Sequence, residues 1–144
     1  MNEPTRFSLV KPTQDTPFHI DFQWWKQHDN NWRISLHDCL CSEHQKVFTN
    51  LEEDYWIDWV NPETAEVKKM DGMQQVLMVH CARQPGFFTV NTTLVDAVFR
   101  AFLTCGNAAL SPKELAAQIN KPAETILRTL AGPHVYKGLR PFRN

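Results

Sequence analysis

Residues 111–130, SPKELAAQINKPAETILRTL, decide how the chain is read. Ser111 opens a capping box: its hydroxyl can accept from the amide of Glu114, and the Glu114 carboxylate can accept from the amide of Ser111. Pro112 falls at the first helical position, where a missing N–H costs nothing. Leu115, Ala116 and Ile119 then recur at helical spacing and face inward. Asn120 and Lys121 make a turn. Pro122 opens another helix, anchored by Ile126, Leu127 and Leu130 and terminated by Gly132-Pro133.

Working outward, residues 92–107, TTLVDAVFRAFLTCGN, give a third helix. Asn91 or Thr92 is expected to cap it. Leu94, Val95, Val98, Phe99, Phe102 and Leu103 form its apolar stripe, and Gly106-Asn107 end it as a left-handed cap. Three short amphipathic helices with this punctuation resemble the winged helix-turn-helix superfamily, from Thr92 to roughly Pro141. The resemblance implies that the helix after the turn reads DNA. It points at Lys121, Glu124, Thr125, Arg128 and Thr129 as outward-facing residues, with Arg128 placed for a guanine edge or a phosphate. The family's wing is a β-hairpin. Here only HVYKGLRPFRN follows, so a single strand or an arm carrying Lys137, Arg140 and Arg143 is expected to contact phosphates instead. Modules of this kind also dock on proteins, and the exposed face of the reading helix is poor in cations.

Charge follows the same division. Residues 111–144 hold Lys113, Lys121, Arg128, Lys137, Arg140 and Arg143 against Glu114 and Glu124, a net +4 beside a body of net −5. A basic end on an acidic body suits an anionic partner for that end alone. With 144 residues, 42% of them hydrophobic, the chain can bury a real core. No apolar run approaches a membrane span, and the first residues lack the pattern of a secretory signal, so a cytoplasmic location is expected.

The expected organisation is an extended arm over residues 1–17, an aromatic-rich helical region over 18–88, and the helix-turn-helix-like unit over 89–144. The fold class is mostly α, with little or no β wing. In the middle region the alternation of Phe18, Ile20, Phe22 and Trp24, and of Trp32, Ile34 and Leu36, would give a hairpin across HDNN. The helical reading is favoured, in which Asp21 caps a short helix through FQWWKQ and a longer one runs from about 31 to 48, with Ile34, His37, Cys41 and His44 on one face. Residues 49–68 read as a connector or short strand and then a turn at Asn61-Pro62. Residues 71–84 read as a buried helix stopped by Pro85-Gly86.

His37, Cys39, Cys41 and His44 lie within eight residues, and His80-Cys81 follow about forty later. Zinc takes four thiolate or imidazole ligands in a tetrahedron. The expected set is Cys39, Cys41, His44 and Cys81, with His37 or His80 as substitutes, and it would pin the two N-terminal helices together. Adjacent His80 and Cys81 cannot both point inward from a regular helix. The plainer reading, which the sequence alone favours slightly, makes Cys41 and Cys81 small buried residues, with His37 and His44 at the surface.

No glycine-rich phosphate loop, nucleophile elbow or paired carboxylates stand out, so no enzyme is expected. The primary expectation is a DNA-binding or transcription-associated protein whose N-terminal region dimerises or docks a partner, the five tryptophans supplying contact area. The alternatives are an adaptor or accessory subunit that binds protein, and a zinc- or thiol-dependent sensor.

Overall fold

The computed structural model describes residues 11–50, 56–87, 89 and 92–142. Helix dominates, as expected, and among the described residues it is accompanied by two small two-stranded antiparallel sheets, so the class is mixed α/β with helix predominant.

The C-terminal elements follow the local signals. Helix α5 (Leu94–Thr104) has Thr93 at its N-cap position, one residue after the expected Thr92 and without a side-chain capping bond, and Asn91 lies outside the described residues. It ends where Gly106 and Asn107 adopt positive φ and the Asn107 amide donates to the Phe102 carbonyl at 2.7 Å. Helix α6 (Pro112–Ile119) carries the full capping box, at 3.2 Å for Glu114 N to Ser111 Oγ and 2.9 Å for Ser111 N to Glu114 Oε1. Asn120 closes it in the left-handed conformation. Helix α7 (Ala123–Leu130) follows and buries Ile126 and Leu130.

The two ends of the described chain meet in the first sheet. Strand β1 (Phe18–Ile20) pairs antiparallel with β4 (Leu139–Pro141), Phe18 opposite Pro141 and Ile20 opposite Leu139. On its other edge Phe18 exchanges two backbone hydrogen bonds with Leu110. The Asn107 side chain accepts from the Ile20 amide at 2.9 Å and donates to the Ile20 carbonyl at 2.8 Å. A carboxamide thereby continues the ladder that a neighbouring strand would have supplied. One hydrophobic cluster runs from Phe18 to Leu139 and crosses the expected boundary at 88/89; Trp25 packs edge-on against Phe99 within it.

Helix α1 (Phe22–His28) is capped by Asp21, whose Oδ1 accepts from Trp24 N at 3.1 Å. The single helix expected over 31–48 is two: α2 (Trp32–Cys39) and α3 (Ser42–Val47), separated by extended backbone at Leu40 and Cys41. The break lets Leu40 stay buried while turning Cys41 out of the α2 helix. Helix α3 has no buried residue of its own, so its own packing does little to hold it in place.

Strand β2 (Trp56–Val60) and strand β3 (Val67–Asp71) form the second sheet. Residues 51–55 of the expected connector lie outside the described residues; after them a short strand is followed by the expected turn, in which Asn61 Oδ1 accepts from Glu63 N and Thr64 N. Strand β3 was not anticipated. It hands directly to α4 (Gly72–Val79), which Asp71 caps by accepting from Gln74 N at 3.0 Å. The expected helix over 71–84 thus begins on time but stops at Val79, and a 3-10 turn over Cys81–Arg83 replaces its last part.

Candidate metal centre

Four side chains converge where α3 meets the end of α4. Cys41 sits at the N-cap of α3, and His44 is in its first turn, three residues on and therefore on the same side. His80 and Cys81 come from the junction of α4 with the 3-10 turn. His80 has φ −128 and ψ −64, well away from helical geometry. That departure solves the problem of adjacency, because two neighbours on a regular helix diverge by about 100°.

The ligand atoms of Cys41, His44, His80 and Cys81 all lie within 4.8 Å of one another, and the four could hold a metal ion. Cys41 Sγ is 3.1 Å from His44 Nδ1, 3.8 Å from His80 Nδ1 and 3.6 Å from Cys81 Sγ. Cys81 Sγ is 3.7 Å from His44 Nδ1. Metal bonds of about 2.0–2.3 Å place the corners of a tetrahedron roughly 3.3–3.8 Å apart; three of these four separations fall in that range and the Cys41–His44 contact is shorter. The His44 and His80 rings stand edge to face with centroids 4.6 Å apart.

Burial, the largest influence, pushes the Cys81 thiol up to about 11, and the neighbouring Cys41 thiol adds to it through its charge and side-chain hydrogen bond. Alone, the group stays a neutral thiol at neutral pH. A divalent cation inverts that preference, since a coordinating thiol is deprotonated outright.

Of the residues expected here, Cys41, His44 and Cys81 come together and Cys39 does not. Cys39 ends α2 and is buried in the core, its thiol pushed up by burial, with Arg100 and Lys137 the nearest opposing charges. The fourth position belongs to His80. His37 is also occupied elsewhere: its Nε2 lies 3.0 Å from the Gln45 carbonyl, while Gln45 Nε2 donates to the His37 carbonyl at 3.2 Å. This reciprocal pair clips α2 to α3.

The residues expected to contact nucleic acid are dispersed in their commitments. Thr125 and Arg128 are exposed on α7, but Arg128 faces Glu124 at 3.7 Å, one turn earlier. Thr129 donates its hydroxyl to the Thr125 carbonyl. Lys121 is half-buried beside Gln118 and Asn120 in a cleft. Lys137 is bound to Asp96 at 2.7 Å and Arg140 to Asp21 at 3.0 Å, both partly exposed pairs. Arg143 lies outside the described residues. Among the described residues no helix is long and apolar enough to cross a membrane. Comparison with family models, curated proteins and solved structures finds no match to this chain.

Proposed function

We propose that this is a non-enzymatic binding protein, an adaptor or accessory subunit, whose N-terminal half is fastened by one structural zinc ion. The observation that carries the metal is the convergence of two thiols and two imidazoles within 4.8 Å of one another, on segments about forty residues apart. Two thiolates with two imidazoles suit zinc, and four protein ligands leave no open position for a substrate. Four free thiols suit a reducing compartment such as the cytoplasm. The helices α5–α7 form the interaction unit in this reading, of the helix-turn-helix kind.

A protein partner is favoured over DNA because three of the candidate cations already face carboxylates. Lys137, Arg140 and Arg128 each face a carboxylate of this chain, and a polyanion would have to displace it. The DNA reading keeps one specific support, the solvent-facing side of α7 with Arg128 and Thr125. Metal analysis of protein purified without chelators tests the zinc: one zinc per chain is expected, with a fall in melting temperature on its removal. Zinc-free protein of unchanged stability overturns it. Binding to duplex DNA that weakens steeply with salt and is lost in Arg128→Ala would replace the adaptor reading with the nucleic-acid one.

A further inference from the structure

We propose that the Cys41–Cys81 pair is a site of reversible oxidation, in which a peroxide converts the two zinc-bound thiolates to a disulfide and expels the ion. The proposal rests on the zinc reading above and specifies how that centre is regulated. Its first support is geometric: the two sulfurs stand 3.6 Å apart, close enough to bond after a small rotation. Its second support is access. A 180 Å³ cavity is lined by both sulfur-bearing residues together with Asp38, Gln84 and Arg100, and Asp38 and Gln84 are exposed at its margin. A molecule the size of hydrogen peroxide has room there.

Burial assigns the order of events. Cys81 is 1% exposed, whereas Cys41 is half-buried. Cys41 Sγ therefore attacks the peroxide: an S–O bond forms, the O–O bond breaks, and hydroxide leaves to give a sulfenic acid. Cys81 Sγ then attacks the Cys41 sulfur: the S–S bond forms, the S–O bond breaks, and a second hydroxide leaves. Two electrons pass from the two thiolates to the peroxide, and the zinc ion departs with its charge unchanged. The remaining imidazoles are too few to retain it. Extended backbone at Cys41 and the absence of buried residues in α3 leave that segment able to adjust. Cys39, though it lines the same cavity, is fixed on the buried face of α2 and takes no part.

The test uses the full chain, its zinc content measured first. Hydrogen peroxide is added in slight excess, and released zinc is followed with a chromogenic chelator. One zinc released per chain is expected, with the intact mass lower by two hydrogen atoms and a peptide map joining Cys41 to Cys81. A thiol reductant with added zinc should restore the starting state. Cys39→Ser should release zinc at the wild-type rate. Retention of zinc, a bond to Cys39 or Cys105, or oxidation to sulfinic acid without a disulfide overturns the proposal while leaving the zinc centre intact. Protein that neither carries nor takes up zinc before peroxide overturns both.

Discussion

Gly138 has little room for change. Its φ is +74, and a Cβ there would lie 2.8 Å from Trp25 Cβ and 2.9 Å from the Asp21 carbonyl oxygen. Its own carbonyl accepts from Asp21 N, so the backbone cannot retreat without opening the cap of α1. Gly138→Ala is expected to lower stability by about 2–3 kcal/mol, read from a denaturant midpoint. At the proposed metal centre, His80→Ala should weaken zinc binding by at least the roughly 10–100-fold typical of lost supporting residues, whereas Cys39→Ser should leave zinc stoichiometry unchanged. A chelator competition on the two variants distinguishes them; equal losses would return Cys39 to the ligand set. Cys41, His44 and Cys81 were legible in the sequence because the first two share a helical side. His80 was excluded as a companion of Cys81 only because the helix was assumed to continue. The helix instead stops at Val79, with neither glycine nor proline at the next position to announce the stop.

The elements divide along the same line. Helices α6 and α7 are written in short-range chemistry, and their starts and stops could be placed from Ser111, Pro112, Asn120 and Pro122 alone. Ser111→Ala should remove the capping box and cost about 1 kcal/mol, seen as a lowered melting temperature without loss of zinc. The break between α2 and α3 was not legible, because it depends on the burial of Leu40 and on partners forty residues away. Strand β3 was hidden for a related reason. Val67, Lys68, Lys69 and Met70 carry little alternation, and it is β2 that makes them a strand. Helix α3 should accordingly be the element most sensitive to metal. Removing zinc is expected to raise amide exchange across residues 42–47 before α6 or α7 responds.

At the scale of the molecule, the Asp96–Lys137 pair ties α5 to the approach of β4. Burial by itself would raise the Asp96 carboxyl, but the hydrogen bond and charge of Lys137 outweigh it and hold the group below its ordinary value. A carboxyl depressed in the folded state contributes stability above its unfolded value near about 3.9 and loses it as pH falls through the lower folded value. Asp96→Asn should therefore flatten the acid side of the stability profile below about pH 4, with little change in its shape nearer neutrality. Melting temperatures along a pH series check this, and an unaltered acid limb would count against the pair. Strand β1 sets a further condition on the molecule as it is made. Ile20 meets Asn107 across 87 residues and Asp21 meets Arg140 across 119. On the ribosome the earliest of these segments must therefore wait, solvent-facing, for the latest to leave the exit tunnel, so the nascent chain cannot lock into shape piece by piece and needs chaperone shelter until residue 141 has emerged.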